Sequence, residues 1–254
     1  MNKRVTGLGL IVLFFHTTAF ASNDQWEFAL SPYLWFPGIK GDVATIPPLP
    51  PAPIELTPSQ AIEDTQAALM LLFTAKKNRH GVYFDFLYTD VESDEELVPD
   101  PINLTMKSVS KTTLATLAYQ YEAYRKDRQA VELLAGIRYW DIDTTLTFGG
   151  GLGIVIPPGT ELQHTESWID PAIGITGTVP FGDSRFYFSG GAGIGGFGVG
   201  SDLFYDINAN IGYQWNKAIG TVIGYRLFDV DYDKDNFLYD VTQQGWLVGL
   251  TWSF

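Results

Sequence analysis

Between Leu203 and Trp215 a wholly apolar set of positions alternates with a mostly polar one. The odd positions read Leu203, Tyr205, Ile207, Ala209, Ile211, Tyr213 and Trp215, and the even ones Phe204, Asp206, Asn208, Asn210, Gly212 and Gln214. A period of two marks an extended strand with one face in an apolar medium. The run exceeds the ~5–6 residues usual for strands of soluble domains. The same rhythm returns in Ile219, Thr221, Ile223, Tyr225 and Leu227, and again in Trp246, Val248, Leu250, Trp252 and Phe254. Long half-apolar strands leave two architectures, a β-sandwich and a barrel. Aromatic residues make up 15% of the chain, enough for girdles at two membrane interfaces, and the 46% hydrophobic content is scattered in short segments. That distribution fits a barrel with apolar residues outside and polar ones inside.

The N-terminus is consistent with export. Lys3 and Arg4 precede an apolar stretch from Val5 to Phe15, and Ala19-Phe20-Ala21 is a small-x-small cleavage site. Residues 1–21 therefore read as a signal peptide and residues 22–254 as one barrel domain. Loss of Lys3 and Arg4 takes the net charge from −13 to −15. Such an acidic chain is a poor partner for nucleic acid. The absence of cysteine rules out a disulfide framework and a lipidated N-terminal cysteine. No later segment has the ~18 consecutive apolar residues of a membrane helix.

Further strands follow from the same periodicity. Trp26, Phe28, Leu30, Leu34 and Phe36 share a face of the first; Ala67, Leu69, Leu71 and Phe73 mark a second, and Val82, Phe84, Phe86 and Tyr88 a third. Met106 to Tyr121 shows no clean alternation. Val131 to Tyr139, Ile169 to Val179 and the glycine-rich Arg185 to Val199 supply three more. Short polar turns at Lys77–His80, Arg125–Arg128, Gly182–Ser184 and Asn216-Lys217 alternate with longer links at Val43–Asp64, Glu92–Asn103, Gly149–Thr160 and Asp231–Tyr239; Gly200–Asp202 is a short exception. Short turns on one side and long loops on the other predict an all-β, transmembrane, antiparallel up-and-down barrel of ten strands, with eight or twelve as alternatives. In the proline-rich first link, Thr57 followed by Pro58 predicts a capped helical turn.

The ending, with outward Val248, Leu250, Trp252 and Phe254, resembles the C-terminal signal recognised by the barrel-assembly machinery. Pro32-Tyr33-Leu34-Trp35, Gly224-Tyr225-Arg226, Asp229-Val230-Asp231-Tyr232 and Gly196 to Asp202 resemble a group of largely uncharacterised proteobacterial outer-membrane proteins. That resemblance, over nearly the whole mature chain, implies the fold and an outer-membrane location; a monomer with surrounding lipid and lipopolysaccharide as partners is expected of such a barrel. It brings no activity, cofactor or metal.

Three motifs have competing structural readings. Gly191-x-Gly193-x-x-Gly196 matches a dinucleotide fingerprint in letters only, because a following helix is missing. Glycines there leave room for large lumen side chains on neighbouring strands. Asp229, Asp231, Asp233 and Asp235 have the spacing of a calcium loop, yet Asn236 and Thr242 stand where Gly and Glu belong, so an acidic hairpin tip is favoured over weak ion binding. His164 neighbours Glu166 and Ser167, but Ser167 has the opposite strand parity and the three do not converge. His80 lies in a turn.

Parity also selects the lumen. Glu132, Arg138, Trp140, Glu166, Trp168 and Asp170 point inward if the apolar odd positions face lipid, and Asp85 and Arg226 join them. A hairpin centred on Ile154 sets Arg138 opposite Asp170 and Trp140 opposite Trp168. Charges in a narrow barrel must pair. One ion-pair network of Asp85, Glu132, Arg138, Glu166, Asp170 and Arg226 is therefore expected. The leading functional expectation is a non-enzymatic envelope or surface protein with a filled lumen and loops available for interaction. A narrow channel for small solutes and a rim hydrolase using His164 are the alternatives.

Overall fold

The computed structural model describes residues 25–98, 103–150 and 157–254. The expected leader and the hairpin tip at Ile154 lie outside these residues. Its strands are β1 (Trp26–Ala44), β2 (Ala52–Leu56), β3 (Thr65–Lys77), β4 (His80–Val98), β5 (Leu104–Lys126), β6 (Gln129–Gly150), β7 (Thr160–Pro180), β8 (Phe186–Gly196), β9 (Leu203–Gln214), β10 (Ile219–Lys234) and β11 (Phe237–Ser253), with a helix α1 (Pro58–Asp64). Every pairing is antiparallel between ring neighbours, and β11 returns to pair with β1. Since β2 pairs only with the far part of β1, ten of the described strands close the ring and β2 is a flap. No helix among the described residues is long and apolar enough to cross a membrane.

The alternation sorts the faces. Leu69, Ile137, Ile173, Ile211, Ile223 and Val248 are exposed on the outside, whereas Met70, Arg138, Asp206, Arg226 and Leu247 are buried inside. A band of aromatic residues rings the inner end, where the first and last strand ends meet. Trp26, Phe28 and Phe254 stack there, and Phe186, Tyr213 and Trp215 contact edge to face. The opposite, outer girdle runs through Phe36, Trp246 and Tyr225, which are register partners on β1, β11 and β10. From Trp26 to Phe36 is ten residue steps. At ~3.3 Å per residue and ~40° of tilt this spans roughly 25 Å, the height of an outer-membrane apolar band.

The turns explain themselves locally. Asp235 and Asn236 both adopt left-handed φ, at 52° and 66°. That gives a two-residue turn matched to strand twist. The predicted helical turn forms with Thr57 as its cap: Thr57 Oγ1 accepts from the Gln60 amide while Gln60 Oε1 accepts from the Thr57 amide at 3.0 Å.

Several expectations need correction. The link expected at Glu92–Asn103 is mostly strand, because β4 runs to Val98 and β5 starts at Leu104. The long acidic tip expected at Asp231–Tyr239 is a tight turn between two extended strands. The unassigned fourth strand is β5, whose inward face carries Leu114, Thr116, Ala118, Gln120 and Glu122. Its alternation is blurred because Leu114 and Ala118 are apolar yet pack inside the lumen.

The ladder breaks beside β1, as it does where the outer part of β7 runs beyond β8. β1 pairs with β3 over Trp26–Pro32 and with β2 over Ile39–Val43. Between them, Tyr33 to Gly38 keeps β11 on one side and has no strand partner on the other among the described residues. The Trp35 amide meets Met70 Sδ there at 3.2 Å, in place of a carbonyl. Pro37 has the same parity and no N–H to satisfy, which suits an unpaired edge.

Candidate functional site

The lumen is filled in layers. Nearest the termini, inward Lys76 on β3 lies 3.0 Å from Glu132 on β6 and 4.0 Å from Glu122 on β5. Arg125 holds Glu122 at 2.6 Å and Glu27 at 3.4 Å. Thr176 donates to Glu132 at 3.2 Å.

The middle layer is built around Asp206 on β9. It accepts from Arg138 of β6 at 2.8 Å and from Arg226 of β10 at 2.7 and 2.9 Å. Arg226 reaches on to Asp85 of β4 at 3.3 Å and to the Tyr33 hydroxyl at 3.1 Å, and that hydroxyl donates to Asp85 at 2.8 Å. Arg138 donates to Thr116 at 2.8 Å. The four charged residues are 6–7% exposed and balance as two cations against two carboxylates. Desolvated charges persist only with such pairing. Arg138 also lies 4.5 Å from the Phe204 ring centroid and Arg226 5.1 Å from that of Trp35, which adds cation–π attraction.

Above this layer the lumen turns aromatic. Trp140 and Trp168, register partners on β6 and β7, stack at 5.1 Å, and Tyr232 stacks on Trp168 at 3.9 Å. Phe237, Phe204 and Phe228 pack around them. Asp170, fully buried, accepts from the Ser201 amide and hydroxyl at 2.7 Å each and from Trp168 Nε1 at 3.2 Å. It fastens the β8–β9 connection to the wall. A Cβ at Gly200 would strike Asp170 and Trp168, and one at Gly195 would strike the Phe204 ring and the Pro171 carbonyl. The glycines thus make space for lumen side chains.

The six expected network residues do not form one network. Asp85, Arg138 and Arg226 share the middle layer, Glu132 belongs to the inner cluster with Lys76, and Glu166 accepts from Tyr232 at 2.7 Å. Arg138 does face Asp170 in register, but the Asp170 carboxylate turns to Ser201 and Arg138 turns to Asp206. A register fixes which backbones oppose, not where long side chains reach. Sequence reasoning missed Asp206, Lys76, Tyr33 and Ser201. Asp206 was within reach of the parity rule, as an inward carboxylate on the most regular strand.

The remaining candidates are scattered. His164 lies 3.4 Å from Glu166, while Ser167 is exposed on the opposite face, so no nucleophile–base pair forms. His80 hydrogen-bonds Tyr119 at the inner end. Asp229, Asp231 and Asp233 line the outer face of β10. Side chains two residues apart on a strand stand ~6.6 Å from one another and diverge. Val248, Leu250, Trp252 and Phe254 all point outward, and the Phe254 backbone exchanges two 3.0 Å hydrogen bonds with Phe28.

No family model and no curated protein matches the sequence. Solved structures similar to it include the attachment invasion locus protein Ail of Yersinia pestis, 10% identical with a TM-score of 0.33, covering 90% of this chain and 98% of that one. The translocator domain of the autotransporter NalP from Neisseria meningitidis is 10% identical with a TM-score of 0.37, covering 89% and 88%. The transport unit of the autotransporter AIDA-I from Escherichia coli is 6% identical with a TM-score of 0.41, covering 95% and 94%. At these scores nothing carries over to this chain, and its own geometry decides its reading.

Proposed function

We propose that this chain is a sealed outer-membrane barrel, a non-enzymatic envelope protein that separates the two sides of the membrane and meets partners with its outer end. The observation that carries this is the Arg138–Asp206–Arg226–Asp85 layer, which bridges β6, β9, β10 and β4 across the lumen beneath a block of stacked aromatics. Buried, mutually paired charges resist rearrangement, because moving one strands the others. Ser167 lies on the face of β7 opposite His164 and Glu166, which supports the non-enzymatic reading. The outward Val248, Leu250, Trp252 and Phe254 suit recognition by the barrel-assembly machinery, and the apolar band suits lipid and lipopolysaccharide around a monomer. Kinship with the proteobacterial group that shares Pro32-Tyr33-Leu34-Trp35 belongs to the same proposal.

Planar-bilayer recording tests the seal. Wild-type protein is expected to give no conductance steps, and Arg138→Ala combined with Arg226→Ala to give frequent openings. Steady ion-conducting steps from the wild type would overturn the proposal in favour of a narrow solute channel.

A further inference from the structure

Above the Arg226 layer the lumen opens into a cavity of about 380 Å³, within the ~300–1,000 Å³ range of small-molecule sites. Trp35, Trp140, Phe228 and Arg226 form its floor, and Ile54, Leu56 and Ala61 of β2 and α1 its cover. Ser108, Ser110 and Thr112 of β5 put hydroxyls on one wall; most of the rest is apolar.

Two independent observations set it apart from a packing gap. First, its lining takes Trp35 from the inner face of β1 and Leu34 and Phe36 from the outer face. The cavity therefore meets the wall where Tyr33 to Gly38 lacks a neighbouring strand and helix α1 lies alongside instead. Phe36 is the register partner of Trp246 in the outer girdle, so this seam faces the outer half of the hydrocarbon layer. Second, Trp35 Nε1, Trp140 Nε1 and Thr144 Oγ1 are buried in that lining without a hydrogen-bond partner among the described residues. Those three residues are 6%, 1% and 4% exposed. Buried donors are rarely left unpaired, and a ligand oxygen would satisfy them.

We infer that this chamber binds a single hydrocarbon chain carrying an oxygen acceptor at one end, admitted from the lipid through the β1–β3 seam. The apolar lining takes the chain, and the two indole N–H groups take the oxygen. The sealed layer serves only as a floor, so loss of the seal and loss of binding are separate outcomes. A free carboxylate amphiphile and an esterified acyl chain of a membrane lipid share this chemistry, and the experiment separates them.

Full-length mature protein is folded into phosphatidylcholine nanodiscs, and dodecanoate is titrated while the indole ¹⁵N–¹H resonances are recorded. Saturable shifts are expected for Trp35 and Trp140 and not for outward Trp252. Trp35→Phe is expected to weaken the Trp140 response about fivefold, the effect of one neutral hydrogen bond. Ser110→Phe, which puts a ring into the chamber in the path of the chain, is expected to abolish it. In parallel, discs made with acyl-brominated phosphatidylcholine report quenching of Trp140, read as the emission difference between wild type and Trp140→Phe. A dodecanoate response alone assigns a free amphiphile, and quenching alone assigns an esterified chain. Absence of both overturns the inference, as do shifts that rise equally at Trp252 or survive Ser110→Phe. Should Ser110→Phe fail to fold, an unchanged Trp140 response in Trp35→Phe overturns it.

Discussion

Asp206 places one carboxylate between two guanidinium groups, and its loss would leave both buried with fewer partners. Arg226 would keep Asp85 and the Tyr33 hydroxyl, while Arg138 would keep only Thr116 and the ring faces. Breaking a buried pair in this way costs about 3–5 kcal/mol. Asp206→Ala should therefore lower the urea midpoint of the folded barrel strongly, with Asp206→Asn intermediate. The Lys107–Glu92 pair is as short, at 2.6 Å, but its side chains are 44% and 32% exposed. Solvent screening leaves such a pair with little net worth, and Glu92→Gln should shift the midpoint little. A Glu92→Gln effect equal to that of Asp206→Ala would contradict the layered account. Most of the inward set was legible because parity alone assigns Asp85, Glu132, Arg138, Asp170 and Arg226 to the lumen. Which of them touch was not legible. Arg138 and Arg226 each reach across several strands, and that reach depends on barrel curvature that no one-dimensional pattern contains.

At the scale of elements, β8 and the β10–β11 hairpin make opposite demands. Beyond Ser189 the inward face of β8 is stripped to Gly191, Gly193 and Gly195, and Phe204 of β9 fills the space opposite Gly195. Gly195→Val would drive a branched side chain into the Phe204 ring and the Pro171 carbonyl. It is expected to block folding, read as loss of the compact, heat-modifiable species on a gel. The hairpin instead carries a repulsive row. Asp231 opposes Asp240 across β10 and β11, and Asp240 opposes Asp42 across β11 and β1, all above the outer girdle. Like charges directly opposite cost roughly 0.2–1 kcal/mol per pair. Asp240→Asn should therefore raise the melting temperature, most at low ionic strength and less as salt screens the row. A gain that does not depend on salt would point to another cause. Strand existence was readable wherever alternation survived. It failed in β5, where Leu114 and Ala118 serve the lumen block, and at Asp231 to Tyr239, where acidic composition suggested a loop although the residues pair in full register.

Over the whole molecule, β1 is the strand on which closure depends, and it closes unequally. Toward β11 it is paired along nearly its full length, from Ala29 to Ala44, and the Phe28–Phe254 backbone pair extends that ladder to the end of the chain. Toward β3 it is paired only from Trp26 to Pro32. Global stability is shared by all ten ring strands, but local opening follows the weakest continuous boundary. The β1–β3 seam is such a boundary, and there the Trp35 amide donates to a thioether, a weaker acceptor than a carbonyl. Hydrogen exchange on the folded barrel should reveal the asymmetry. The Trp35 amide and the β3 amides from Gln66 to Met70 should exchange well before those of β10 from Ile223 to Leu227 and of β11 from Gln244 to Val248, although both sets lie at comparable heights. Met70→Leu removes the sulfur acceptor while keeping nearly the same bulk, and it should speed exchange at Trp35 without altering the β10–β11 ladder. Equal protection on both sides of β1 would mean that the seam is closed in the membrane, and a closed seam would leave the chamber above Arg226 with no path to lipid.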